Sequence, residues 1–165
     1  MSDAPPARSA PVTSPGAAVA AGRLGHGIKR AEQAMIARKT RALRRFGLTV
    51  PQYAVLLLLA AVEGSAAGMS AAQLARECMV TPQTMATVLL NLERAGLIER
   101  QGSALHQKVV VNILTARGRG LVEEADEAIM RVERALAAAF SAAERAEFDR
   151  FLERSVAVMN SLDGD

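Results

Sequence analysis

Between Ser70 and Thr115 the chain reads as helix, tight turn, helix, glycine stop and hairpin, and this order constrains the fold more than any other stretch. Ser70 with Gln73 forms a capping box that opens a short helix to about Glu77. Thr81 caps the next helix, and Pro82 takes its first position, where a missing N–H does no harm. Met85, Val88, Leu89 and Leu92 then fall at i, i+3, i+4 and i+7, the stripe of one buried face. Gly96 stops that helix. Ile98 to Gln101 and Gln107 to Leu114 are predicted strands around a loop holding Gly102 and Ser103, with Val109, Val111 and Ile113 alternating. Ala75 is small where two helices must approach closely. The turn between them carries Cys78 and Met79 in place of the usual glycine. Two helices followed by a hairpin predict a winged helix-turn-helix.

The flanks are helical. Leu24, Ile28, Ala31, Met35, Ala42 and Leu43 mark an imperfect stripe along Leu24 to Phe46, a helix about 30 Å long that Gly47 ends. Thr49 with Gln52 is another capping box, opening a helix from about Val50 to Glu63. That helix is nearly all apolar from Ala54 to Val62, so it is expected to be the most buried element. Gly64 to Gly68 is a loop. Thr115 caps a long helix to about Phe140, and Ser141 with Glu144 opens the last helix, through about Ser161. Residues 1–22 are Ala, Pro, Ser and Gly with almost no large apolar side chain, which predicts a disordered tail. The fold class is therefore mainly α with a small β-hairpin wing. A single domain spans 23–165, with a winged helix-turn-helix at 49–115. The stripes on 23–46 and 116–162 exceed what one small winged helix can cover, so these are expected to be dimerisation helices.

Composition agrees. Aromatic residues are 3% of the 165 and Trp is absent, so Leu, Ala, Val and Met must fill the core, which favours helices. One cysteine excludes an internal disulfide and fits a reducing cytoplasm. The apolar run Tyr53 to Val62 is too short to cross a bilayer, and the N-terminus makes a poor signal peptide. The net charge of +3 is unevenly spread: eight basic residues and one acid from Arg23 to Arg45, seven basic and eleven acidic from Ala116 to Asp165. Such asymmetry suggests one surface that meets a polyanion and another that avoids it.

Subtracting the core stripe from the helix at Thr81 leaves Gln83, Thr84, Thr87 and Asn91 facing outward, beside Pro82. These side chains can hydrogen-bond base edges or phosphates, Gln and Asn suiting adenine. Alone, such a face is an ordinary solvated surface; beside a wing it points to double-stranded DNA, with Arg76, Arg94, Arg100, His106 and Lys108 available for the backbone. Arg76, Arg94, Arg100 and Lys108 are set against Glu77, Glu93 and Glu99 between Ser70 and Thr115, leaving +1. Phosphate neutralisation then relies partly on Arg38 to Arg45, or on two copies binding together. The alternative is a helical dimer whose winged helix contacts protein and binds DNA weakly.

The residues Gly47-Leu-Thr-Val-Pro-Gln-Tyr-Ala-Val-Leu56, Leu74-Ala75, Leu92-Glu-Arg-Ala-Gly-Leu-Ile98 and Leu114-Thr-Ala-Arg-Gly118 resemble the MarR family of bacterial transcription regulators, over Leu24 to Leu162. The resemblance implies an obligate homodimer. Its first and last two helices interlock the subunits, and each subunit presents a winged helix. It also implies repression of nearby genes, with release on binding a small, often aromatic, effector. Two departures stand out. Where many members carry Asp-x-Arg at the wing tip, this chain reads Gly102-Ser-Ala-Leu-His-Gln-Lys108, so only His106 or Lys108 can take the minor-groove role. Where many carry Arg, Thr87 stands.

Met35, Tyr53, Leu57 and Met130 are the candidate lining of an effector pocket between the dimer helices and the winged helix, though methionines at helical spacing are more often core filler. Arg38 or Lys39 can meet a ligand carboxylate, the simpler reading being solvation. Cys78 takes a turn position usually held by Leu and is read as a small buried hydrophobe rather than a redox sensor. His26 and His106 lie on separate segments without metal-ligand spacing. No Ser/His/Asp cluster, phosphate loop or paired-carboxylate motif is present, so neither a catalytic site nor a cofactor is assigned.

Overall fold

The computed structural model describes residues 22–63, 68–102 and 110–162. The expected tail, but for Gly22, lies outside the described residues, as do Ser103, His106, Lys108 and Val109 of the expected wing. The chain divides into two compact units, Met1–Ile36 and Ala37–Asp165.

Among the described residues six helices and a hairpin follow in order: α1 Leu24–Leu43, a single 3-10 turn Arg44–Phe46, α2 Val50–Ala61, α3 Ala71–Glu77, α4 Pro82–Arg94, β1 Ile98–Gly102, β2 Val110–Leu114, α5 Ala116–Ala137 and α6 Ala142–Ser161. The starts are where the capping residues put them. Thr49, Ser70 and Ser141 each accept from the backbone N–H three residues on, and Gln52, Gln73 and Glu144 each reach back to close the box. Thr81 and Thr115 cap α4 and α5 through Thr84 N and Gly118 N. Gly47 and Gly96 take left-handed φ values of 67° and 66°, the conformation that ends a helix without a Cβ clash.

The core of the larger unit joins five helices to the hairpin. Leu43 from the end of α1 meets Tyr53, Val55, Leu56 and Leu59 of α2, Leu74 and Ala75 of α3, and Met85, Val88, Leu89 and Leu92 of α4. Leu97, Ile98 and Leu114 extend it to the hairpin, and Val122, Ala125 and Ile129 bring in α5. Each large side chain so buried contributes about 1.5–3 kcal/mol, so the four from α4 anchor that helix firmly.

Several local expectations are corrected. α2 ends at Ala61. It is the most buried helix, as expected, and along it only Ala61 and Leu57, the latter 40% exposed, are open. α5 stops at Ala137 rather than Phe140, because Arg145 Nη1 donates back to the carbonyls of Ala137 and Phe140 and the Phe140 ring stacks on Phe148 at 5.8 Å. β2 does not bury one face alone, since Val111, Asn112 and Leu114 are all buried. Its pairing with β1 runs from Ile98 opposite Leu114 to Gly102 opposite Val110. On its other edge Met69 exchanges two backbone hydrogen bonds with Asn112, 2.8 and 3.1 Å, adding a one-residue third strand. Gly68 makes that approach possible: its φ is +53°, and a Cβ there would lie 2.7 Å from the Asn112 carbonyl oxygen.

Candidate nucleic-acid interface

α3 and α4 meet through a turn of three residues, Cys78 to Val80 and then the cap Thr81. Ala75 is buried at the crossing, which a larger residue would block. Met79 occupies the left-handed position, φ +53°, that glycine takes in many such turns, and its side chain is 92% exposed. The conformation costs about 1–2 kcal/mol for a residue bearing a Cβ. Its neighbour Cys78 is half-buried, and burial followed by the Glu77 charge raises its thiol pKa. A raised pKa disfavours the thiolate, the reverse of what a sensing cysteine needs. An open, mostly apolar cleft of about 580 Å³ lies between α3 and the start of α4, walled by Ala72, Ala75, Met79, Val80 and Pro82 with Arg76 beside them. Such a wall can accept the methyl group of thymine.

All four residues expected to face outward on α4 do so: Gln83, Thr84, Thr87 and Asn91 are exposed, while Met85, Val88, Leu89 and Leu92 are buried. They are not equally available. Thr84 shares a hydroxyl hydrogen bond with Thr81 at 2.8 Å, and Thr87 Oγ1 donates to the Gln83 carbonyl at 3.2 Å. No such bond joins the Gln83 or Asn91 side chain to another described residue, so these two amides are open to an outside partner. Arg76 and Arg94 are exposed. Arg100 is partly neutralised by Glu93, Nε to Oε2 3.2 Å. Leu90, 39% exposed on α4, interrupts the polar face.

The candidate effector residues differ in burial and in partners. Tyr53 is buried, and its hydroxyl donates to Asp126 Oδ1 of α5 at 2.5 Å. Burial, that hydrogen bond, and the charges of Asp126 and Glu133 push its pKa well above the ordinary tyrosine value. Leu57 and Met130 are exposed at 40% and 39%. Met35 belongs to the smaller unit, where it is half-buried. Lys39 is not simply solvated: its ammonium sits 2.6 Å from Glu133 Oε1, linking the end of α1 to α5. Among the described residues no group of three metal-ligating side chains occurs, and no helix is long and apolar enough to cross a membrane.

Sequence reasoning missed what holds α4 in place. The end of α4 and the start of α5 are joined directly. Arg117 Nη1 donates to the Ala95 carbonyl at 2.8 Å, Thr115 Oγ1 to the Gly96 carbonyl at 2.8 Å, and the Thr115 backbone N–H to the Leu97 carbonyl at 3.2 Å. Gly118 lies so close that a Cβ would fall 2.0 Å from the Leu97 oxygen. Farther along α5, Arg119 Nε donates to Glu63 Oε2 at 2.7 Å, with a second bond from Nη2 to Oε1. The signal was in the sequence as Leu114-Thr-Ala-Arg-Gly118, but only the fold shows what each of those residues touches.

Comparison with known proteins agrees with this geometry. A profile described as the MarR family matches residues 46–108. The HTH-type transcriptional repressor Rv2887 of Mycobacterium tuberculosis is 38% identical over 113 residues, 68% of this chain and 78% of that protein. Its crystal structure with p-aminosalicylic acid superposes with a TM-score of 0.61 at 34% identity, over 81% of this chain and 98% of that one. Its complex with DNA gives 0.61 at 33% identity, over 81% and 97%. The Staphylococcus aureus MepR–DNA complex gives 0.76 at 24% identity over 82% and 96%, a likeness of fold.

Proposed function

The chain belongs to the MarR family of transcription regulators, and from that premise we propose that it is a homodimeric, sequence-specific DNA-binding repressor released by a small apolar or aromatic ligand. The observation that carries the reading is α4: four core residues anchor it beside the hairpin, and the opposite face offers the amides of Gln83 and Asn91. Residues 49–115 are then the reader, and 23–46 with 116–162 join the two subunits. Gln83 and Asn91 read base edges, Thr84 and Thr87 contribute through hydroxyls already oriented by their neighbours, and Pro82 sets the helix start. Arg76, Arg94, Arg100, His106 and Lys108 meet phosphates. A two-fold dimer wants an inverted repeat with half-sites roughly 10 base pairs apart.

The ligand reading rests on relatives and on chemistry. Rv2887 has been crystallised with salicylic acid and with p-aminosalicylic acid. In this chain the exposed apolar side chains of Leu57 and Met130, with the Tyr53 ring, form the proposed effector lining. A ligand shifts DNA binding only by favouring the non-binding arrangement of the dimer.

Fluorescence polarisation with the protein's own upstream DNA tests the reading. Gln83→Ala is expected to weaken the specific site more than random DNA, whereas Arg94→Ala weakens both alike and flattens the salt dependence. Salicylate is expected to weaken binding without dissociating the dimer, and Ala54→Phe to blunt that response. Equal losses on both DNAs for Gln83→Ala would remove α4 as the reader. No salt-dependent shift at all would favour the protein-contact alternative. Insensitivity to an aromatic panel, with loss of binding on Cys78 oxidation, would replace the ligand by the thiol.

A further inference from the structure

The junction between α4 and α5 has a consequence for how DNA is read. The Ala95 carbonyl is one that a helix end leaves without an intrahelical partner, and those of Gly96 and Leu97 follow it in the turn toward β1. All three are taken by the first residues of α5: Ala95 by the Arg117 guanidinium, Gly96 by the Thr115 hydroxyl and Leu97 by the Thr115 N–H. The Thr115 hydroxyl also accepts from Gly118 N at 3.0 Å, so one oxygen both caps α5 and holds the end of α4. Gly118 lets the two backbones close to a distance no other residue permits. Twenty residues lie between Ala95 and Ala116. Apart from the direct bonds, reader and dimer helix are joined through the hairpin strands and through the core that both share.

We propose that Arg117 is a positioning residue for DNA recognition: by binding the Ala95 carbonyl it fixes the angle of α4 against α5, and hence the separation of the two reading helices in the dimer. This rests on the reading of α4 as the DNA-contacting helix. Arg117 suits the task because its cation sits at the negative end of the α4 dipole, where a charge-assisted bond is strong and directional. Its side chain can be removed without touching the Thr81 and Thr115 caps that open the two helices. Thr115 caps α5 and Gly118 is fixed by contact, so substitutions there confound folding with reading. The other polar ties of α5 run to α2, the turn after it and the end of α1: Tyr53 to Asp126, Arg119 to Glu63 and Lys39 to Glu133. A shift of α5 thus reaches the reader through Arg117 and Thr115.

The test compares wild type, Arg117→Ala and Arg117→Lys as full-length proteins. The DNAs are an inverted-repeat duplex selected by the wild type from a random pool, and versions with the half-sites one and two base pairs closer or farther apart. For Arg117→Ala the expected result is about a tenfold loss on the best spacing, a smaller loss on the others, and therefore a broader spacing profile. Affinity for random DNA and the salt slope should stay as in wild type. Arg117→Lys, which keeps a donor and the charge, should recover most of the profile. A salt slope lower by about one, with equal losses on every duplex, would make Arg117 a phosphate contact and overturn the proposal. An unchanged spacing profile in Arg117→Ala would overturn it too, leaving the DNA-reading function standing. If the random pool yields no duplex that wild type prefers, the functional reading fails and the proposal with it.

Discussion

α4 and α6 are both amphipathic helices, of 13 and 20 residues, and they end in opposite conditions. α4 buries Met85, Val88, Leu89 and Leu92 within its own chain. α6 buries nothing: Phe148, Phe151, Leu152, Val156 and Met159, a stripe at helical spacing, are 39–60% exposed. The beginning of α6 is nevertheless well fixed, by its capping box, by Arg145 on two carbonyls of the preceding turn and by the Phe140–Phe148 stack. A helix with a defined start and an uncovered apolar stripe is built to be finished by another surface. In the proposed dimer that surface is a second copy. One region of the molecule is thus complete at the level of the chain and the other at the level of the dimer.

The contrast can be attacked at several strengths. The largest effect is expected from Gly118→Ala inside the complete region, because a Cβ 2.0 Å from a backbone oxygen cannot be accommodated by a rotamer change. A loss exceeding about 4 kcal/mol is expected, read by denaturant unfolding; a mild loss would show that the α4–α5 junction yields. Next, Phe151→Asp on α6 should raise the dimer dissociation constant by more than about 100-fold, measured by sedimentation. Hydrogen exchange on the same variant sharpens the point. Amides of α4 should stay protected while those of α6 lose protection, and simultaneous loss in both would make them one cooperative unit.

A smaller effect concerns Tyr53, the chain's only tyrosine. Its pKa is raised in the fold, so the stability it confers is present below the unfolded value of about 10 and is lost as pH rises from there through the folded value. Tyr53→Phe should cost about 1 kcal/mol near neutral pH and flatten the alkaline loss. The tyrosinate absorption band of the native protein should appear only well above its usual pH; appearance at the usual pH would contradict the buried hydrogen bond. The smallest effects form a matched pair. Ser70→Ala and Ser141→Ala each break a capping box, at about 1 kcal/mol. The first should lower the stability of the winged-helix core, and the second chiefly the affinity of one subunit for the other.

Much of the fold was legible because it is written locally. Thr49, Ser70, Thr81, Thr115 and Ser141 each satisfy an N–H three residues away, and a short-range bond leaves a short-range pattern. The buried face of α4 was legible for the same reason, since four apolar residues at one period can only face one way. α2 was not, because a helix apolar on every side carries no direction, and so the exposure of Leu57 could not be foreseen. Tyr53 with Asp126 is a pair 73 residues apart, beyond any periodicity. The bridge from Met69 to Asn112 is a strand one residue long, which no alternation can announce. At the candidate interface, the sequence placed Gln83, Thr84, Thr87 and Asn91 on the right face but could not show that two hydroxyls are already engaged and two amides are not.

The double duty of the Thr115 hydroxyl also limits what can be transplanted. Recognition helices invite exchange between regulators as a way to change the sequence they read. Here the segment ending at Leu97 and the segment from Thr115 to Gly118 complete each other's hydrogen bonds and set each other's closest approach. A graft that carries α4 without the opening turn of α5 therefore brings in a helix whose final carbonyls meet a foreign partner, and it inherits an orientation belonging to neither parent. The exchangeable module is the discontinuous one, Thr81 through Gly118 with the hairpin inside it, and a chimera drawn at those borders should keep its parent's spacing along with its parent's sequence.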